Sequence, residues 1–247
     1  VVTHVGLFAV AYPLGWIDPG ALYAHFGELL ITLTLGAFGF CLFLYWKGRV
    51  YPTSTDTLYT GNPVFDFFQG IELHPRLFGV NLKQLINCRV SMMAWSVIFV
   101  SFGITQYQQL GVVSTSMWAS ILVLVIYLFK FFWWEGGYFH SLDIMHDRFG
   151  YYICWGVLAW VPAVYCLVAL WLVAHPVDWH PMVGVLMVAG GVLAIWINYQ
   201  ADAQRRRVRD TNGQTEVWGK APELIHASYT TTDGETRESL LLVSGWW

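Results

Sequence analysis

Two groups of residues have the types and spacing to do chemistry. The first is HSLDIMHDRFGYY, His140 to Tyr152, which directly follows the aromatic run FKFFWWEGGY. On a continuous helix His140, Asp143 and Asp147 would fall at i, i+3 and i+7, one stripe facing one way. Carboxylates and imidazoles placed so at the mouth of an apolar cavity are proton donors and acceptors, because burial and neighbouring charge tune their proton affinity. The second is QRRRVR, Gln204 to Arg209, in which Arg205 and Arg209 stand one helical turn apart. Two guanidinium groups on one face suit a phosphate group. A third, looser set is Asp66, Glu72, His74 and Arg76, with Arg89 further along. Each group also has an ordinary reading: an interfacial loop whose charges meet water, a basic cap on a membrane helix that meets anionic headgroups, or an arginine that snorkels to the surface.

The elements that must position these groups are membrane helices. Of the 247 residues 56% are hydrophobic and only 12% charged, about half the charge of a soluble domain. No Asp, Glu, Lys or Arg occurs from Leu29 to Trp46, Val90 to Phe129, Phe149 to Ala174 or Pro181 to Ala201. About 20 residues of helix cross a bilayer. Spans are therefore expected near Ala21 to Trp46, Leu82 to Thr105, Val112 to Phe132, Phe149 to Ala174 and Met182 to Tyr199. The polar stretch Thr105 to Gly111 is read as the turn dividing the longest run. The stub Val1 to Trp16 is too short to span, and a chain that starts inside an apolar segment is expected to lack upstream helices. The fold class is an all-α polytopic membrane bundle with five full transmembrane helices, a partial N-terminal one and a small C-terminal hairpin.

All 13 Lys and Arg fall in 47–89, 130–148 and 205 onward, which alternation puts on one side. The positive-inside rule makes that side cytosolic. It holds the aromatic, Pro- and Gly-punctuated loop 48–83, expected to pack into the interface, and the tail 202–247. The tail alternates like a strand at Leu224 to Tyr229, with a turn at Thr231 to Glu235 and a second strand from Ser239 to Val243. The bundle is thus residues 1–201 and the tail a second segment, 202–247. Pro162, inside the fourth span, is expected to kink it and free a carbonyl. The formal net charge of −3 gives no reason to expect nucleic acid. The eight scattered His and four Cys without CxxC spacing suggest neither a metal site nor disulfides. With no GxGxxG after a strand and no GxxxxGK[ST], a nucleotide would have to bind without those folds.

The blocks DFFQGIELHPR, NCRVSMMAW, KFFWWEGGYFHSLDIMHDRFGYYICWG, QRRRVRDTNG, VWGKAP, ASYTTTDGET and LLLVSGWW follow one another in an order and spacing that resemble the sterol reductase family, the C-14, C-24 and Δ7 reductases of ergosterol-type biosynthesis. The wording GIELHPR and DIMHDRFGYYICWG resembles the Δ7 branch, especially its plant and algal members. The resemblance implies a multi-pass enzyme of the endoplasmic reticulum that takes NADPH from the cytosol and a sterol from the bilayer, and saturates a ring double bond. By the same resemblance Gln204, Arg205, Arg209 and Trp218 belong to the cofactor segment. Leu241, Ser244, Gly245, Trp246 and Trp247 lie in the strip beside the nicotinamide. Asp143, His146, Asp147 and Tyr151, supported by Glu72 and Glu135, face the substrate. The family pattern continues after SGWW with a GxxRHxxY segment and further membrane helices. A noncatalytic membrane subunit or sterol-binding scaffold in a larger assembly is the alternative.

Overall fold

The computed structural model describes residues 10–230 and 234–247. Among them five helices are long and apolar enough to cross a membrane. The chain is a multi-pass helical membrane protein, as the uncharged runs require: backbone in lipid has to satisfy its hydrogen bonds internally. In order the elements are α1 (Pro19–Ala24), α2 (Phe26–Val50), α3 (Pro63–Gln69), the short pair β1 (Arg76–Leu77) and β2 (Val80–Asn81), and α4 (Leu82–Leu110). Then follow α5 (Thr115–Trp133), α6 (Glu135–Tyr138), α7 (Leu142–Met145), α8 (Tyr151–Ala174), α9 (Pro181–Asp210), β3 (Leu224–Thr230) and β4 (Thr236–Leu242). Most of the apolar stub 1–16 lies outside the described residues.

The caps are local and legible. Asp18 accepts from the Gly20 amide at 2.9 Å, Asn62 from those of Val64 and Phe65 at 3.1 and 3.2 Å, and Ser114 from Met117 at 3.3 Å. One boundary departs from expectation. Thr105 to Leu110 is helix, and the turn begins at Gly111, whose φ of 74° is a left-handed cap. The polar residues that looked like a turn are satisfied inside the bundle. Thr105 bonds the Ser101 carbonyl at 2.8 Å, and the buried Gln106 amide donates to Leu172 at 2.6 Å while accepting from Ser114 at 2.8 Å. Gln106 thereby ties α4, α5 and α8 together at the end remote from the basic loops.

Nearer the basic end α4 and α8 each widen into a π-helical stretch, Leu85–Ser91 and Gly156–Trp160, and the two stretches pack together. In α8 the Val161 amide donates five residues back, to Gly156. The next acceptor in that register, Val157, meets Pro162, which has no N–H. The Ser91 hydroxyl donates to the Val157 carbonyl instead, at 2.5 Å. An unpartnered carbonyl at membrane depth costs several kcal/mol, of order ~2–7 by transfer data, so this bond accounts for Ser91 in an otherwise apolar contact.

Two apolar clusters fill the bundle. The larger joins Phe26, Trp95, Phe99, Phe102, Met117, Phe131 and Leu172 across α2, α4, α5 and α8. The smaller, at the basic end, joins Cys41, Leu44, Phe149, Ile153 and Cys154. Beside it the interfacial loop meets the segment before α8 backbone to backbone. Gly70 has φ 92°, and a Cβ there would fall 2.5 Å from the Gly150 nitrogen. The Phe149 amide donates to Glu72 at 3.0 Å across the same contact. β3 and β4 pair antiparallel, Leu224 opposite Leu242 and Ala227 opposite Ser239. Residues 231–233 of the expected turn lie outside the described residues. Leu224, Leu242 and Val217 pack on Val208, which fastens the hairpin to the end of α9.

Candidate functional site

The helix α9 runs on past its apolar part to Asp210, carrying Arg205 and Arg209 out of the bundle on one face. The last residues of the chain fold back onto that face. Gln204, buried, accepts from the Trp246 amide at 3.2 Å, and Gly245, at φ 76°, leaves the room: a Cβ there would lie 2.6 Å from Gln204 Oε1. Trp247 donates its indole N–H to Ala201 at 2.7 Å, and its ring lies 4.7 Å from the Arg205 guanidinium. Ser244 Oγ accepts from the Glu223 amide at 3.1 Å, while Trp218 meets Trp246 edge-on at 5.3 Å. Arg205 also touches Asp202 at 3.3 Å, and Arg209 Nε donates to the Leu240 carbonyl at 3.3 Å. Among the described residues each arginine makes one long hydrogen bond, which leaves most of its N–H groups without a protein acceptor.

Between this face and the segment 140–146 lies a cavity of about 180 Å³ lined by His140, Leu142, His146, Arg205, Arg209, Leu241, Leu242 and Trp247. The two groups that spacing alone separated by some sixty residues therefore share one hollow. Its wall has apolar patches, two cationic heads, two imidazoles and an aromatic face, a donor set suited to the phosphate and ring portions of a nucleotide.

The acid segment is not the single helical stripe expected from spacing. Ser141 is extended at φ −72° and ψ 158° and leaves His140 outside the short helix α7, with the His140 ring nitrogen held on the Gly136 carbonyl at 2.8 Å. His140 and His146 consequently reach the cavity, whereas Asp143 and Asp147 do not line it. His146 meets the Tyr229 ring edge-on at 6.3 Å. Asp143 keeps surface access. Crowding by the surrounding chain, and then the Asp147 carboxylate, push its carboxyl above the ordinary range against the pull of Lys83.

Glu72, Glu135 and Tyr151 stand apart from the cavity. Glu72 sits in a buried clasp with Lys47 at 2.7 Å, the Thr53 amide at 2.5 Å, the Thr53 hydroxyl at 2.9 Å and the Ser54 amide at 2.9 Å. Burial alone would raise its carboxyl, but these four donors outweigh it and hold the group below the ordinary value. Glu135 pairs in a fork with Arg89, Oε2 to Nη2 at 2.7 Å. Tyr151 stacks on Phe67 at 5.5 Å and meets Phe38 edge-on at 5.9 Å.

The profile described as the ergosterol biosynthesis ERG4/ERG24 family matches residues 9–247. The chain belongs to that family. It is similar to the 7-dehydrocholesterol reductase of Arabidopsis thaliana, 46% identical over all of this chain and 56% of the relative. The protein of the same name in Xenopus laevis is 34% identical over all of this chain and 52% of that relative. A Delta(14)-sterol reductase from Methylotuvimicrobium alcaliphilum is 33% identical over 95% of this chain and 52% of the relative. The chain thus spans about half the length of the curated relatives it matches.

In this ERG4/ERG24 member the residue that spacing did not single out is Lys83. It lies one residue inside α4, where a lysine reads as an ordinary basic flank, yet it is fully buried and donates to the carbonyls of Ile144 and Asp147. No local sequence signal distinguishes it, because its partners are some sixty residues away.

Proposed function

We propose that the chain is the part of an NADPH-dependent sterol reductase that grips the cofactor and presents the proton donors, acting on the Δ7 bond of a 7-dehydrosterol drawn from the bilayer. The observation that carries this reading is the shared cavity in which Arg205, Arg209 and Trp247 face His140 and His146. In it Arg205 and Arg209 hold phosphate oxygens, while Leu241 and Trp247 cover an aromatic ring. Gln204, Trp218, Ser244, Gly245 and Trp246 keep the tail folded over the arginines. The bound nicotinamide supplies hydride. A ring alkene is a poor hydride acceptor, so a proton has to be given to one alkene carbon, and the donors available are His146 on the cavity wall and Asp143 and Asp147 beside it. Glu72, Glu135 and Tyr151 act at a distance by fixing the elements that flank the mouth. The names of the relatives support the Δ7 assignment, and the basic loops support a cytosolic mouth in the endoplasmic reticulum.

The test uses the full-length protein in membranes with NADPH and a conjugated 5,7-diene sterol, following the diene absorbance. Loss of the diene that requires NADPH is expected. Saturable sterol binding with no loss of the diene overturns the enzyme reading and leaves a sterol-binding membrane subunit.

A further inference from the structure

Lys83 has no exposed surface. Burying an ammonium is costly unless it is paired and hydrogen-bonded, and the partners of this one all lie in a single short segment. Its Nζ donates to the Ile144 carbonyl at 2.9 Å and to the Asp147 carbonyl. α7 has only four residues, so its carbonyls have few amides of their own to accept from. Lys83 takes that place and pins residues 144–147 to the start of α4. The Asp143 and Asp147 carboxylates are the opposite charges that face it. The other groups around them are Arg148 of the same loop, His74 of the interfacial loop, Tyr138 at the end of α6 and Tyr152 of α8. Arg148 is engaged with Asp56 at 2.5 Å. The two tyrosines carry no charge near neutral pH, and burial followed by the nearby cations Lys83 and Arg76 keeps His74 below the usual imidazole value.

We propose that Lys83 is the positioning residue of the acid segment: it fixes the backbone of residues 144–147 and sets its buried ammonium against the carboxyl of Asp143. The catalytic consequence rests on the reductase reading; the effect on that carboxyl does not. Removing the charge makes Asp143 hold its proton to higher pH. A reaction that needs a protonated donor would then keep its activity to higher pH, although with a less well placed donor.

The experiment compares wild type, Lys83→Met, Lys83→Gln and Lys83→Arg in the full-length protein. The Asp143 carboxyl is titrated by infrared difference spectroscopy, its band assigned with Asp143→Asn, and turnover of the 5,7-diene sterol is measured against pH. Lys83→Met is expected to move the titration to higher pH and to carry the alkaline limb of the turnover profile the same way. It is also expected to lower turnover about tenfold with little change in the NADPH requirement. Lys83→Arg restores the wild-type titration. Lys83→Gln keeps a donor for the carbonyls without the charge, and is read in the same way should Lys83→Met not accumulate. A folded Lys83→Met or Lys83→Gln protein whose titration and pH profile match wild type, with turnover merely scaled down, overturns the proposal. A shifted carboxyl titration in a protein that never consumes the diene leaves the role of Lys83 standing and removes the reductase reading. Diene loss in wild type with no shift in either variant does the reverse.

Discussion

The clasp around Glu72 and the mouth around Arg209 are both polar clusters at the basic end of the bundle, and they are built in opposite ways. In the clasp Lys47 and Glu72 are almost wholly buried, and every oxygen of the carboxylate has a donor. At the mouth Arg205 and Arg209 each hold one contact at 3.3 Å and open onto a cavity. A cluster with all its bonds made has nothing left for a ligand and serves to fix geometry. A cluster with most of its donors unspent keeps them for binding. Glu72 and Arg209 therefore differ in which property a mutation should change.

The largest effect is expected in the clasp. Glu72→Ala leaves the Lys47 ammonium buried without its counter-charge, which costs about 3–5 kcal/mol of stability. The check is thermal unfolding of the protein in detergent, with NADPH affinity measured on the fraction that stays folded. That affinity is expected to be unchanged, and a large loss would make the clasp part of the binding site. The pH dependence has a definite sign. The folded-state value of Glu72 lies below its ordinary 4.5, so its contribution is complete above that pH and is lost as pH falls through the lower folded value. The stability gap between wild type and Glu72→Gln should accordingly narrow below pH 4.5 and stay constant above it.

At the mouth the same kind of truncation should spare stability and change binding. On the proposed reading, Arg209→Ala removes charge-assisted hydrogen bonds to a cofactor phosphate, each of order 1.5–3 kcal/mol. The expected result is an NADPH requirement raised roughly ten- to a hundredfold, a smaller change with NADH, and an unfolding temperature within a few degrees of wild type. Equal losses with both cofactors would point to a headgroup or a structural partner instead.

The contrast also marks what could be read from residues alone. Arg205 and Arg209 were legible because a helical turn is a local period, and the spans because lipid excludes charge. The continuation of α4 through Gln106 was not, since that side chain is satisfied by Leu172 and Ser114 across the bundle, and in isolation it looks like a turn residue. The π-helical stretches leave no mark in hydropathy, and only Pro162 hinted at the one in α8. The break at Ser141 defeated the helical reading of His140, Asp143 and Asp147: the extended residue there turns the imidazoles to the cavity and leaves the carboxylates to Lys83. Glu72 could be recognised as notable, but its partners Lys47 and Thr53 come from elsewhere in the chain, so spacing could not distinguish a clasp from a site.

The smallest expected effect tests how the tail contributes at the mouth. Trp247 offers a ring face to Arg205 at 4.7 Å and an indole N–H to the Ala201 carbonyl at 2.7 Å. Trp247→Phe keeps a face and loses the donor. An exposed cation–π contact is worth about 0.5–1 kcal/mol, and one neutral hydrogen bond contributes a similar amount. If the face orients the guanidinium, Trp247→Phe changes NADPH affinity by no more than about fivefold while Trp247→Ala costs clearly more. If the two variants lose equally, the hydrogen bond to Ala201 is what holds the tail over the arginines. Trp247 would then belong with Glu72, among the residues whose bonds are already made.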